Sequence, residues 1–417
     1  MPGAVTGASP TLAVSGEGVT MLVDIVVIAV LIVALVLGVR SGLLAGLGSL
    51  VGLVVGALVA YWVVPLALPL VSDVLTAPGW RSAVVIAGTL VIVAGCAAIG
   101  AAIGSAARRG VDRVRLGWLE RLLGGALSVV VAALTVSLVA QTVVIAGIPL
   151  LSTAVSSSRV VRTIDALTPA PVDSALAQVR GAFLEEGLPR LGDLFGPGVV
   201  LDGGEPAPQV ALDDPALNAA AQAVARISGV AYACGTSSTG TGFVAAEDRI
   251  VTNAHVVAGV SDPVVELPDG TVREGRIVYF DPVDDLAVIA VDDIDVAPLP
   301  VADALVTGQE GVVQGYPYGG PFTMGGARVL SVGVVDVPDI HGTASAPRDI
   351  YALAAAVRPG NSGGPLLTPA GDVSGVVFAR ADSGEDIGYA MTPAEFAPVV
   401  AQAPALTESV STGSCAP

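Results

Sequence analysis

The chain is 417 residues long, 53% hydrophobic and 13% charged, with a net charge of −18 and no lysine among its 19 cations. That length admits two or three structural units. The charge is unevenly divided: residues 1–149 hold seven arginines and five acids, and residues 150–417 hold twelve arginines and 32 acids. An excess of 20 negative charges in the second part excludes nucleic acid as its partner and repels anionic lipid headgroups.

Residues 1–21 begin rich in Gly, Ser and Thr without periodicity, and are expected to be disordered or to lie upstream of a start at Met21. Residues 22–150 form the next unit. It carries four apolar runs, near 22–39, 43–64, 82–105 and 124–149, each long enough to cross a bilayer. The link between the third and fourth runs holds Arg108, Arg109, Arg113, Arg115 and Arg121 against two acids, which assigns it to the cytoplasm. The short turn at Arg40 falls on the same side. Four spans then leave both termini, and everything after residue 150, outside the cytoplasm. Asp24 is expected at the interface, capping the first helix. Gly52/Gly56 and Gly100/Gly104 have the small-xxx-small spacing that lets helices pack closely within the chain. Val23-Asp24-Ile25, the turn Gly38-Val39-Arg40-Ser41-Gly42 and the Gly-rich second run resemble the colicin V production family of four-helix membrane proteins. The resemblance implies an all-α four-helix membrane domain.

Residues 151–229 read as a semi-ordered spacer broken by Pro169, Pro171, Gly196-Pro197-Gly198 and Gly203-Gly204-Glu205-Pro206. Helix-like composition marks 173–186 and 214–228, with Asp213 or Asp214 as the N-cap of the second. From Val230 to residue 417 the texture changes to short apolar runs separated by Gly, Pro and Asp, which suits an all-β domain.

The chemistry lies in that domain. Gly360-Asn361-Ser362-Gly363-Gly364-Pro365 sets a nucleophilic serine among glycines, where a substrate carbonyl can approach the main chain and the amides of Gly360 and Ser362 converge on an oxyanion. A serine needs a base, and His255, one of two histidines, ends the run Val251-Thr252-Asn253-Ala254-His255. Asp285 opens the segment Asp285-Leu286-Ala287-Val288-Ile289 and can hold the imidazole tautomer. Asp284 is its alternative, because a one-residue slip exchanges the two faces of a strand. His341, in Pro338-Asp339-Ile340-His341-Gly342-Thr343, reads as a solvated loop residue. The order His, Asp, Ser, with gaps of 30 and 77 residues, is one of the known chain orders for a catalytic triad. Thr252-Asn253-Ala254-His255-Val256-Val257, Asp284-Asp285-Leu286-Ala287-Val288-Ile289 and Gly360-Asn361-Ser362-Gly363-Gly364-Pro365 resemble the signatures of the bacterial trypsin/chymotrypsin-like serine proteases. Gly240-Thr241-Gly242-Phe243-Val244 resembles the strand that precedes the histidine in that family. The resemblance, over about 230–400, implies a chymotrypsin-like double β-barrel.

No acid stands where a basic P1 residue would be read, so an apolar P1 is expected against Val357-Arg358-Pro359 and Val377-Phe378-Ala379-Arg380. No metal and no cofactor are expected. Cys96 falls in the third run, whereas Cys234 and Cys415 flank the β domain and are expected to form a disulfide outside the cytoplasm. No PDZ-like module is expected after the β domain, unlike the high-temperature-requirement proteases. The whole resembles membrane-anchored periplasmic serine proteases linked to acid resistance in mycobacteria. That resemblance implies cell-envelope protein substrates and a role in acid and oxidative stress. Self-cleavage within 151–229 is expected from a long spacer tethered beside its own active site. Two other classes stay open: an inactive protease-fold sensor, and a transport or secretion component with an accessory protease.

Overall fold

The computed structural model of the chain describes residues 16–72, 91–92, 94–107, 117–145, 154–181, 189–191, 207–208, 214–231, 236–381 and 386–416. It divides into two compact units, one of residues 25–136 and one that joins residues 1–24 to residues 137–417.

The first unit is helical. Its helices belong to α1 (Gly16–Ser41), α2 (Leu43–Ser72), α3 (Ala94–Ala107) and α4 (Gly117–Ile145). Within α1 and α4, Gly18–Ser41 and Gly117–Gln141 are long and apolar enough to cross a bilayer. A shorter apolar helix occupies Ala94–Ala107. Part of the run expected at 82–105 lies outside the described residues. So do residues 1–15 of the expected disordered extension, while α1 already begins at Gly16. The glycine spacing is used within the chain. A Cβ on Gly48 would lie 2.2 Å from the Gly100 carbonyl oxygen, and one on Gly100 2.0 Å from that of Gly48. The backbones of α2 and α3 therefore touch, and Gly48 with Gly52 is the pair on α2 that meets α3. Glu120, in the first turn of α4, accepts a hydrogen bond from the Leu44 amide at 3.3 Å.

In the second unit, Asp24 does not cap its own helix, which starts eight residues earlier. Its carboxylate accepts from Ser158 Oγ at 2.5 Å and from the Val160 amide at 3.2 Å. It thereby satisfies an orphan amide at the start of α5 (Arg159–Leu167). α6 (Ala170–Gly181) follows, and residues 182–186 of the helix expected at 173–186 lie outside the described residues. Asp214, not Asp213, caps α7 (Pro215–Ala221), accepting from the Ala216 amide at 2.8 Å. The helix expected over 214–228 stops at Ala221 because β2 (Val224–Ala231) pairs with β3 (Thr236–Ala246) along its full length. Ladder pairing overrides the helical composition of this stretch, and the β domain starts before residue 230.

One sheet runs in the order β6-β5-β2-β3-β4-β8-β7. Its further strands are β4 (Arg249–Thr252), β5 (Val264–Glu266), β6 (Val272–Glu274), β7 (Arg276–Asp281) and β8 (Leu286–Ala290). The other runs β1-β13-β12-β9-β10-β11-β14. It comprises β1 (Arg190–Leu191), β9 (Glu310–Gly315), β10 (Thr323–Pro338), β11 (Ser345–Ala354), β12 (Pro365–Leu367), β13 (Val373–Ala381) and β14 (Ile387–Met391). β13 also pairs with β14, which closes the second sheet on itself, while the first is an open order of seven. Phe243, Ile250, Leu286, Phe378 and Phe396 are fully buried in the core. Each such side chain contributes about 1.5–3 kcal/mol of apolar burial.

Candidate active site

The first sheet supplies the base and its orienter. β4 pairs with β8 so that Thr252 lies opposite Ala287. This register brings the residues after β4 beside those before β8. His255 rides on the single-turn helix α8 (Ala254–Val257), and Asp285 ends the β7–β8 turn with φ at +55°. Aspartate is among the few residues that tolerate this left-handed conformation. Asp285 is 3% exposed. Its carboxylate lies 2.8 Å (Oδ2) and 3.0 Å (Oδ1) from His255 Nδ1, and Oδ1 also accepts from the His255 backbone amide at 2.9 Å. Asn253 Nδ2 donates to the Asp285 carbonyl at 2.8 Å. The structure thus selects Asp285 over Asp284 as the partner of His255.

The second sheet supplies the serine. The loop between β11 and β12 carries Gly360-Asn361-Ser362. Gly360 has φ at +95°, and a Cβ there would lie 2.3 Å from the Tyr316 carbonyl oxygen, so only glycine fits. The Asn361 amide is committed to the Arg358 carbonyl at 2.9 Å. The amides of Gly360 and Ser362 on either side donate to no protein acceptor among the described residues. Two unspent donors flanking one spent donor are what an oxyanion hole requires. Ser362 is fully buried, and neither its Oγ nor His255 Nε2 has a hydrogen-bond partner among the described residues.

Thr241 on β3 joins the two sheets at the serine loop. Its amide donates to the Ser362 carbonyl at 2.7 Å, and its hydroxyl donates to the Gly360 carbonyl at 2.6 Å while accepting from the Tyr316 amide at 3.0 Å. Thr241 and Asn253 stand inside sequence motifs, but nothing in the sequence assigned them these bonds. β13 flanks the loop on its other side, through the Gly363 amide to the Val377 carbonyl at 2.8 Å. At the rim, Arg358 donates to Asp386 Oδ1 at 2.7 Å. His341 sits in the β10–β11 turn, where Asp339 accepts from its amide at 3.0 Å. That turn holds the Asp339 carboxyl below its ordinary value, chiefly through the bonds from Thr343.

A cavity of about 370 Å³ lies beside the loop that precedes β10, lined by Gln141, Asp165, Arg226, Glu266, Tyr316 and Phe322 among others. Arg226 pairs with Glu266 and donates to the Gly319 carbonyl at 3.0 Å, and Ser156 donates to Glu266 at 3.1 Å. Burial pushes the Asp165 carboxyl up despite its bond from Ser137, with Asp173 adding repulsion. The short strand β1 lies parallel to β13, and the Arg380 amide donates to the Pro189 carbonyl at 3.1 Å. Cys96 carries a free thiol. Cys234 lies outside the described residues, while a Cβ on Gly259 would meet Cys415 Sγ at 2.7 Å and Ala231 Cβ at 3.2 Å. Among the described residues no group of three or more His, Cys, Asp or Glu side chains is placed to hold a metal.

Residues 240–376 match the trypsin-like peptidase domain, and residues 23–169 match the colicin V production protein. Serine protease Rv3671c of Mycobacterium tuberculosis is 35% identical over 269 residues, covering 64% of this chain and 67% of that protein. Protease Do-like 1, chloroplastic, of Arabidopsis thaliana is 34% identical over 166 residues, 37% of this chain and 36% of that protein. The crystal structure of the Rv3671c protease in its active form is 37% identical and covers 51% of this chain and 94% of that one, with a TM-score of 0.49.

Proposed function

Because this chain belongs to the trypsin-like serine proteases, we propose that it is a membrane-anchored enzyme that cleaves cell-envelope proteins outside the cytoplasm through an acyl-enzyme on Ser362. The observation that carries the assignment of roles is the doubly bonded pair of His255 and Asp285, made before any substrate is present. In this reading Ser362 Oγ attacks the scissile carbonyl and His255 Nε2 takes its proton. The amides of Gly360 and Ser362 receive the oxyanion, and His255 then protonates the leaving amine. Asp285 keeps the Nδ1–H tautomer and stabilises the imidazolium. Water repeats the sequence to release the acid.

The unmade contact between Ser362 Oγ and His255 Nε2 favours a second reading, a protease fold that signals without turnover. The first reading requires that this bond form when substrate binds, and such bonds often tighten only in the substrate complex. Treating the full-length chain in membranes with a fluorophosphonate probe separates the two. Labelling of wild type and not of Ser362→Ala is the expected result. A wild type that stays unlabelled from mildly acidic to mildly alkaline pH would leave the sensor reading standing.

Four spans, with the arginine-rich third link in the cytoplasm and a double barrel outside it, complete the proposal. It is supported by the apolar helices and by the match to the colicin V production protein. We also propose the Cys234–Cys415 bridge. Its support is that Cys96 is free and that Cys415 packs beside Ala231, three residues before Cys234. Closing a loop this long is worth roughly 5 kcal/mol by chain entropy. Self-cleavage in the spacer belongs to the same reading, but not at β1. A peptide whose carbonyl reaches Ser362, with its preceding residues on the β13 edge, runs antiparallel to β13, and β1 runs the other way. A role in acid and oxidative stress follows from the same resemblance.

A further inference from the structure

Arg348 is the largest fully buried side chain of the described residues, 1% exposed, and the catalytic roles above leave it without a task. It lies on β11, in the sheet of the serine. From Nη1 it donates across to the other sheet's β7–β8 turn, to the Asp284 carbonyl at 3.1 Å, and from Nη2 within its own sheet to the Pro338 carbonyl on β10 at 2.8 Å. Its guanidinium stacks on the ring of Phe378, 5.1 Å from the centroid, on the strand that flanks the serine loop. The peptide bond it holds precedes Asp285, whose φ of +55° aims the carboxylate at His255. Asn253 holds the next carbonyl along, that of Asp285. The catalytic turn is therefore gripped at two successive carbonyls by two buried side chains.

The charge matters as well as the grip. Burial pushes the guanidinium below the ordinary arginine value, and the carboxylates of Asp285, Asp284, Glu395 and Asp281 push it back up. Arg348 makes no ion pair with any of these four among the described residues. Nη1 and Nη2 donate to neutral carbonyls and Nε has no partner among the described residues, so its positive charge is not neutralised by a bonded partner. A guanidinium stays protonated even when buried. A buried carboxylate alone beside an imidazole favours the imidazolium, which cannot accept a proton. A nearby buried cation opposes that.

We propose that Arg348 is a positioning residue of the triad, which fixes the Asp284–Asp285 turn and sets a positive charge beside the carboxylate that holds His255. This rests on the proposed triad roles. The two functions separate by substitution. Arg348→Lys keeps the charge and loses the fork, Arg348→Met loses both, and Arg348→Gln keeps one donor without charge.

The test uses the full-length chain in detergent micelles. Because the sequence has two histidines, isotope-labelled imidazole resonances give two titrations, and His341→Gln assigns them. In a Ser362→Ala background, Arg348→Met is expected to raise the His255 midpoint by about half a pH unit or more, while Arg348→Lys leaves it in place. This readout needs no turnover, so it stands even if the hydrolase reading fails. In the Ser362 background, fluorophosphonate labelling is expected to slow about 10- to 100-fold for Arg348→Met in its maximal rate, with little change in probe affinity. Arg348→Lys is expected to recover part of that rate. If Arg348→Met does not fold, Arg348→Gln carries the titration. A folded neutral variant whose His255 midpoint matches the parent overturns the proposal, whatever its labelling rate.

Discussion

The two sheets of the β domain prepare their catalytic groups to different degrees. The first sheet finishes its part in advance: Asp285 makes bonds to the His255 ring and amide, and Asn253 secures the turn. The second sheet leaves its part unspent. Among the described residues the Gly360 and Ser362 amides donate to no protein acceptor and Ser362 Oγ has no partner. The difference follows from when charge appears. A carboxylate must be paired when buried. The oxyanion exists only during the reaction, so its donors have to be held open for it. Thr241 and Arg348 are where the finished side is tied to the open one.

Removing the charge on the finished side gives the largest expected effect. Asp285→Asn cannot hold the Nδ1–H tautomer in the same way, and turnover of a peptide substrate is expected to fall about 10⁴-fold with the fold retained. A loss below tenfold would mean that the His255–Asp285 pair is structural. Disturbing the open side comes next. Gly360→Ala asks for a Cβ 2.3 Å from the Tyr316 carbonyl oxygen at a φ of +95°. The peptide must then reorient and one oxyanion donor is lost. Turnover is expected to fall about 10²- to 10³-fold, with kcat carrying the loss. An unchanged kcat with a raised KM would show that the amide binds ground state and transition state alike.

How much of this was legible varies with the kind of interaction. His255, Asp285 and Ser362 could be read because a triad needs rare residue types in a fixed order, and the chain offers two histidines in all. The encounter of His255 with Asp285 depends on the Thr252–Ala287 register, which the apolar runs of β4 and β8 suggest but do not number. The helix expected at 214–228 failed at Val224, where pairing with β3 outweighs an Ala-rich composition. Asp24 was expected to cap the helix it sits in, yet it serves α5, more than 130 residues later, and nothing local to it signals that. Arg348 was invisible for a related reason. Pro347-Arg348-Asp349 looks like solvent-facing sequence, and its surroundings are a carbonyl of the distant β7–β8 turn, a carbonyl at the end of β10 and the ring of Phe378. Contacts that use the main chain as acceptor leave no pattern in side-chain types.

The smallest expected effect separates the two neighbouring acids that the sequence could not. Asp284 is partly buried at the turn, and its side chain is not among the groups that bond to His255 or Ser362. Asp284→Asn is therefore expected to leave turnover within about a factor of three, in contrast to Asp285→Asn. Its signature lies in stability. Burial, then repulsion from Asp281, pushes the Asp284 carboxyl up from 3.8, with Arg348 pulling it back. A carboxyl harder to ionise in the folded chain than in the unfolded one binds more protons when folded. Its ionisation therefore takes stability away as pH rises from about 4 through the folded value, and none below that window. Asparagine stands in for the protonated acid at every pH. Thermal unfolding should place Asp284→Asn above wild type at pH 7, by at most ~1–2 °C for a partly exposed group, and level with it near pH 4. A gap that stays constant across that range would mean that the substitution acts through packing at the turn and not through the charge that Arg348 faces.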